Sequence, residues 1–420
     1  MARRLKSIIA NLTIFLGSLL LTWLLCELGL RAFYGAPAQQ IGHHQLFMEH
    51  DPILGWRKIP NFTGQHVTPE YAVLEHMNSR GIRGPEYAYE KRRDEYRILV
   101  LGDSFAEGYT VEFRELFSEV LKHRLNRPTD GRDYEVINAG TGGYSTDQEL
   151  LLFQQEGERY RPDLTILLFY DNDVWFNNQP KYWRGYKPLF QLGDAGALRL
   201  TNVPVPKPDP APKSAAPEAR LWQDPLDATA VWLAKNSHVY RFINERIQGT
   251  AFLHKLAIKI GLVTLQTENH PDQRIIPIPD EFRVYQKQQN TDVAQAWKIT
   301  EALLRNLREE VHSSGGELIV FYVPVRASVY LEEWESVKRQ YDIADDQWSI
   351  EQVRNDLIAL CQRNHLDCID SLEAFRAEAD KLRTVGKRLY FIRDAHWNAD
   401  GHRFVGEMLA QYIGRAYASR

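Results

Sequence analysis

The chain has 420 residues, 44% of them hydrophobic and 25% charged, with a formal net charge of −4. That is an ordinary globular composition, enough for one large domain with insertions or two modest ones. The lack of a basic excess argues against a nucleic-acid partner, and no repeat at a solenoid period is present.

Arg3, Arg4 and Lys6 precede a nearly continuous apolar run from Ile8 to Cys26, in which Asn11, Thr13, Ser18 and Thr22 are only mildly polar. Its length suits one membrane-spanning helix. The basic cluster before it predicts a cytoplasmic N-terminus and a periplasmic or extracellular remainder. A cleaved signal peptide is the rival reading. However, Ala36-Pro37-Ala38 lies far beyond the apolar run, and Leu25 is too large for a lipoprotein box at Cys26. An uncleaved anchor over residues 1–28 is therefore expected. Residues 29–95 read as a lead-in that packs on the following domain. They hold turn-rich pieces at His50–Trp56 and Asn78–Gly84 and a candidate strand at Tyr71–Leu74.

From Arg97 the pattern alternates. Arg97–Leu101 is a short, partly β-branched apolar run that reads as a buried strand, breaks at Gly102 and leaves Ser104 beyond its carboxyl end. A helix follows over Leu116–Leu125, a strand over Tyr134–Asn138, a helix over Asp147–Tyr160 and a fully apolar strand over Leu164–Tyr170. Strands separated by helices imply crossover connections and hence a parallel sheet. The alternation stops between about residues 175 and 292, where a proline-rich stretch (203–217) and the aromatic Lys181–Tyr186 piece suggest an insertion over the sheet's carboxyl edge. It resumes with an amphipathic helix from Thr291 through Val311, a strand at Glu317–Val323, a helix at Ile350–Asn364, a short strand at Leu366–Asp370 and a last helix from Ala399 through Ile413. The C-terminal domain thus runs over 96–420.

The three cysteines show no metal pattern. Cys26 sits in the apolar run. Cys361 and Cys368, seven apart, form a disulfide if the domain is exported and stay as buried thiols otherwise.

Four segments fall at strand ends or before the last helix: Gly102-Asp103-Ser104, Asn138–Tyr144, Tyr170–Asp173 and Asp394–Asn398. In a parallel sheet they can meet along one edge, which is where such sheets bind ligands. Together they contain the parts that acyl transfer to serine requires. Ser104 is the candidate nucleophile, and a serine hydroxyl needs a base. His396 suits that task because imidazole titrates near neutrality. Asp394 can accept from the other ring nitrogen and stabilise the imidazolium. Gly143, with Gly140 second, is the candidate backbone donor to an oxyanion, and Asn172 offers a side-chain amide. His402 lies inside the last helix and reads as packing or capping. The chemistry asks for no metal or cofactor.

In this order the four segments resemble the blocks of the SGNH (GDSL-type) hydrolase superfamily, with Ser104, Gly143, Asn172 and His396 at the block positions. The resemblance runs from about Asn78 to the C-terminus, apart from the insertion. It implies a flavodoxin-like three-layer α/β/α sandwich. It also implies an oxyanion hole made by the N–H groups of Ser104 and Gly143 and the amide of Asn172. Many members carry an aspartate three residues before the histidine. Here that position is Arg393, and Asp394 stands two before, as in a subgroup similar to membrane-linked polysaccharide O-acetyltransferases.

The expectation is an anchored serine esterase or O-acyltransferase, working through an acyl-Ser104 intermediate on an acyl ester or polysaccharide, with envelope proteins as candidate partners. The alternative is a non-catalytic glycan-binding or scaffold module of an envelope polysaccharide assembly. A phosphate- or flavin-binding protein of similar fold is disfavoured, since no glycine loop with a lysine follows the first strand.

Overall fold

Five parallel strands carry the fold: β1 (Glu95–Gly102), β2 (Asp133–Asn138), β3 (Leu164–Tyr170), β4 (Glu317–Val323) and β5 (Asp367–Ile369). They pair in the order β5-β4-β3-β1-β2. The computed structural model describes all residues except 1, 35–40, 43–46, 69, 128–131, 194–195, 208–232, 234–236, 238, 241–277 and 417–420. Leu164–Phe169 and Leu318–Val323 are buried without a break, as are Ile98–Leu101. Both sheet faces are covered, which is why these strands read as continuous apolar runs rather than alternating ones.

The helices take the places that right-handed crossovers dictate. Helix α1 (Ala2–Tyr34) lies at the N-terminus, where Glu27 accepts hydrogen bonds from the Ser237 hydroxyl and the Val239 N–H. The helices around the sheet include α2 (Ser104–Glu107), α3 (Phe117–Leu125), α4 (Thr146–Gln155), α5 (Asp171–Phe176), α6 (Thr291–Ser313), α7 (Leu331–Tyr341), α8 (Gln352–Asn364), α9 (Leu372–Thr384) and α10 (Ala399–Ala416), with one further turn at Arg326–Val329. The chain moves one way from β1 to β2 and the other way thereafter. Accordingly α3 packs with α10 on one face, while α4, α5 and α6 pack together on the other. The result is a three-layer α/β/α sandwich with flavodoxin-like strand order. Its topological switch point lies between β1 and β3, where the loops after neighbouring strands diverge.

The structure departs from the pattern reading at several helices. The helix expected over Asp147–Tyr160 ends at Gln155 and gives way to a 3₁₀ turn at Gly157–Tyr160. A Cβ at Gly157 would come within 2.8 Å of Leu99, so the turn packs directly on β1 only because that residue is glycine. Helices α7 and α9 were not expected; α7 buries only Trp334 and carries five charged residues among its eleven.

Cys361 at the end of α8 and Cys368 in β5 are joined in a disulfide, Cα atoms 6.2 Å apart, which settles the alternative left open by their spacing. The lead-in forms two hairpins, Met48–Asp51 with Gly55–Lys58 and Thr63–Val67 with Ala72–His76. The candidate strand at Tyr71–Leu74 therefore exists one residue later and pairs antiparallel. Of the insertion, the short hairpins at Lys181–Tyr186 and Leu189–Thr201 are seen. The proline-rich stretch from residue 208 onward lies outside the described residues, as does Ala36-Pro37-Ala38. Among the described residues one segment is long and apolar enough to cross a membrane, Thr13–Arg31 in α1, with mean hydropathy 1.8. A membrane anchor and a signal sequence both fit that description.

Candidate active site

The serine is set by how β1 ends. Gly102 has φ +148°, and a Cβ there would lie 2.7 Å from that of Ala106, so only glycine lets the strand turn this sharply into α2. Asp103 then caps the helix, its Oδ1 accepting the Phe105 N–H at 2.9 Å. Ser104 becomes the first helical residue rather than lying in a loop some residues ahead of a helix. The single turn closes at Gly108, which is left-handed.

His396 Nε2 stands 2.7 Å from Ser104 Oγ, and His396 Nδ1 stands 2.5 Å from Asp394 Oδ1. The carboxylate calls for the proton on Nδ1, which leaves Nε2 free to accept from the serine hydroxyl. Asp394 Oδ1 also accepts the His396 backbone N–H at 3.1 Å, and Oδ2 accepts the Tyr71 hydroxyl at 2.5 Å. The Tyr109 hydroxyl lies 3.1 Å from His396 Nδ1. Burial alone would raise the Asp394 carboxyl. The His396 charge and the hydrogen bonds from His396 and Tyr71 outweigh it and hold Asp394 well below the usual range. Phe105 packs against the imidazole with ring centroids 4.6 Å apart, and the fully buried Trp397 packs on Phe105. His402 is buried in α10, where its Nδ1 accepts the Phe117 N–H at 3.4 Å. Burial, then the charges of Arg83 and His396, push it down to about 3, so it is a neutral packing residue as expected.

The glycine segment after β2 is held from outside the sheet. Lys58 Nζ donates to Gly140 O at 2.6 Å, Trp56 Nε1 donates to Gly142 O at 2.9 Å, and the Gly142 N–H donates to Glu107 Oε2 at 2.6 Å. The Gly140 N–H is taken by Asn138 Oδ1 at 3.0 Å, which rules it out as the second oxyanion donor. Its glycine is needed for packing, since a Cβ would lie 2.5 Å from that of Ala106. Gly143 has φ +74° and lines the same cleft as Ser104 and His396. A Cβ there would meet the Trp183 ring at 2.9 Å. The cleft has a volume of about 240 Å³, and its rim is aromatic, with Tyr71, Tyr109, Tyr182, Trp183 and His66. Asn172 follows β3 in the first turn of α5. Its Nδ2 lies 3.4 Å from the hydroxyl of Tyr182, which lines the cleft. An oxyanion role for Asn172 requires the amide to exchange that partner for substrate.

The structure thus brings Ser104, His396, Asp394 and Gly143 together and places Asn172 one side chain away. Sequence reasoning missed Tyr71, Tyr109, Lys58 and Glu107 as site neighbours. Trp183 belongs to the aromatic piece that the sequence placed in an insertion over the sheet's carboxyl edge. No group of three or more His, Cys, Asp or Glu side chains able to hold a metal occurs among the described residues.

Behind the site the sheet edge buries several acids. Burial lifts Asp103 to about 6, against the Phe105 N–H, the His396 charge and the Asn172 amide. Burial lifts Asp171 to about 7 from an ordinary 3.8, against the Tyr322 and Tyr285 hydroxyls. A carboxyl raised on folding stabilises the fold below its ordinary value, and that contribution is lost as pH rises through the folded value. Stability is therefore expected to fall between about pH 4 and about pH 8, Asp171 alone accounting for roughly 4 kcal/mol of it. Asp171→Asn, which mimics the neutral acid, should flatten the slope. Thermal melts of both proteins across that range check this, and equal slopes would reject it.

Residues 100–245, which include Ser104, Gly143 and Asn172, match the GDSL-like Lipase/Acylhydrolase family. Residues 282–419, which include Asp394 and His396, match the family described as SGNH hydrolase-like domain, acetyltransferase AlgX. No curated protein matches the chain. Among solved structures, that of an acetyl xylan esterase, AlAXEase, is similar at 14% identity, covering 76% of this chain and 99% of its own, with a TM-score of 0.38. A variant of an acetyl-xylooligosaccharide esterase from Geobacillus Stearmophilus gives 12% identity, 77% and 95% coverage and a TM-score of 0.37. The lipase/acylhydrolase from Enterococcus faecalis gives 12%, 76% and 96%, with a TM-score of 0.34.

Proposed function

Since the chain belongs to the SGNH (GDSL-type) hydrolase superfamily and is an esterase or acetyltransferase of that group, we propose that it moves an acetyl group from an ester to water or a glycan hydroxyl outside the cytoplasm. The observation that carries this is the unbroken relay from Ser104 Oγ through His396 to Asp394, at 2.7 and 2.5 Å. Ser104 Oγ attacks the ester carbonyl while His396 Nε2 takes its proton. The oxyanion is received by the N–H groups of Ser104 and Gly143 and by the Asn172 amide. His396 returns the proton to the leaving alcohol, giving acyl-Ser104. It then deprotonates water or a sugar hydroxyl, which attacks the acyl carbonyl and regenerates the serine. Asp394 keeps the Nδ1–H tautomer and balances the imidazolium charge.

Three further observations support the extracytoplasmic, glycan-directed part of this reading. The Cys361–Cys368 disulfide suits an oxidising compartment. The apolar stretch in α1 suits a tether. The aromatic rim offers flat faces for sugar rings. The test uses the full-length protein in detergent with an aryl acetate, a serine-directed fluorophosphonate and an acetyl-free acidic polysaccharide. The expected result is an adduct on Ser104 and acetyl appearing on the polysaccharide. Free acetate alone makes the protein an esterase. No adduct in a folded protein favours the glycan-binding module instead.

A further inference from the structure

We propose that Thr68, Glu70 and Tyr71, between the two strands of the second lead-in hairpin, form a clamp that sets the catalytic geometry, with Glu70 and Tyr71 as positioning residues. This rests on the roles of Ser104, His396 and Asp394 proposed above. The segment 392–394 that leads into the Asp394–His396 pair belongs to no helix or strand. Its backbone N–H groups have no ladder to join and must find partners elsewhere. Glu70 supplies them. Its carboxylate accepts the N–H of Ile392 at 2.9 Å, of Arg393 at 3.0 Å and of Asp394 at 2.7 Å. Hydrogen bonds to an ionised acceptor are about twice as strong as neutral ones, and three of them converge here. From the other side Arg326 Nη1 donates to the carbonyls of Phe391 and Ile392, at 2.8 and 2.6 Å. The loop is thus held by both kinds of backbone group.

Tyr71 completes the clamp. Its hydroxyl takes Asp394 Oδ2 and leaves Oδ1 to the imidazole, which fixes the plane of the carboxylate relative to the ring. Neither residue is free to wander, with Glu70 only 6% and Tyr71 only 8% exposed. The Tyr71 ring packs on Phe391 with centroids 5.0 Å apart and on His66 at 5.3 Å. The clamp itself is braced, because Thr68 Oγ1 accepts the N–H groups of both Glu70 and Tyr71 at 3.2 Å, and the Thr68 N–H donates to Tyr71 O at 2.8 Å. Strands Thr63–Val67 and Ala72–His76 then carry the clamp as one rigid piece. An element outside the α/β sandwich therefore aims the base that serves Ser104.

The test is kinetic and uses the full-length protein with an aryl acetate. Tyr71→Phe keeps the ring and deletes only the hydroxyl. Glu70→Gln keeps the shape and replaces one acceptor oxygen by a donor. Each is expected to lower kcat roughly ten- to a hundredfold, the range for losing a hydrogen bond to a charged group, with KM within about twofold. The decisive comparison places Tyr71→Phe in an Asp394→Asn background. A residue that acts through Asp394 has little left to lose there, so the second substitution should change kcat less than about twofold. Equal losses in both backgrounds, or a wild-type kcat in Tyr71→Phe, overturn the clamp. A Ser104→Ala control that keeps its activity overturns the functional reading instead, so the two failures are told apart. Should Glu70→Gln fail to fold, Tyr71→Phe and its double variant decide alone.

Discussion

Ser104→Ala is expected to lower kcat on an aryl acetate by roughly 10⁴- to 10⁶-fold while leaving the fold intact. The serine opens α2, but the cap is Asp103, whose carboxylate holds the Phe105 N–H, and alanine suits a helical position. The variant loses the Oγ that faces His396 Nε2 and little else. What remains is binding and oxyanion stabilisation acting on water, which in serine hydrolases of other folds still exceeds the uncatalysed rate. Measured kcat, fluorophosphonate labelling and a thermal melt check all three parts. A folded Ser104→Ala protein that turns over normally would exclude the acyl-serine route.

Asp394→Asn should cost roughly 10³- to 10⁴-fold in kcat. The carboxamide is nearly isosteric, yet it can turn a donor toward His396 Nδ1. The imidazole then prefers its proton on Nε2, which can no longer accept from Ser104. Stability should respond as well, with a sign opposite to that of Asp171. Because Asp394 is held below its ordinary range on folding, its contribution is present above the unfolded value and is lost as pH falls toward the folded one. The variant is therefore expected to melt earlier than the parent at neutral pH, with the gap closing in acid. A kcat loss under tenfold would mean that His396 is oriented by something else, and Tyr109, 3.1 Å from Nδ1, is the nearest candidate.

Much of the sandwich was legible because its strands are buried on both faces. Runs such as Ile98–Leu101 and Leu164–Phe169 have no solvent side, so their hydrophobicity is uninterrupted and their boundaries are sharp. Helix α6 was equally plain, since Val293, Ala296, Trp297, Thr300, Leu303, Leu304, Leu307 and Val311 repeat at helical spacing along its buried side. Helices α7 and α9 were not read, although Leu331, Trp334, Val337 and Tyr341 of the first and Leu372, Phe375, Ala379 and Leu382 of the second recur at helical spacing. The lead-in was read as packing material. Its hairpins are short, and beside Met48, Trp56, Val67 and Val73 they bury Lys58, Gln65, His66, Glu70 and Glu75, polar residues that look solvent-bound in one dimension.

The site divides along the same line. Ser104, Gly143, Asn172 and His396 could be picked out because each follows or precedes a recognisable element and carries a side chain, or a lack of one, that acyl-transfer chemistry demands. Gly140 stood second to Gly143 in the chain, and the observed contacts separate them further. The first spends its N–H on Asn138, while the second lines the cleft. The parallel sheet follows from apolar strands alternating with helices, which is a local property of the chain, and its flavodoxin-like arrangement is what the family resemblance implies. The grip of Glu70 and Tyr71 on Asp394, the grip of Lys58 and Trp56 on the glycine segment, and the Tyr182 hydroxyl against Asn172 are different in kind. Glu70 and Asp394 are 324 residues apart. A hydrogen bond between a carboxylate and distant backbone N–H groups leaves no periodicity, no propensity and no spacing in the sequence, because its geometry exists only after the sheet has formed and the hairpin has docked on its edge.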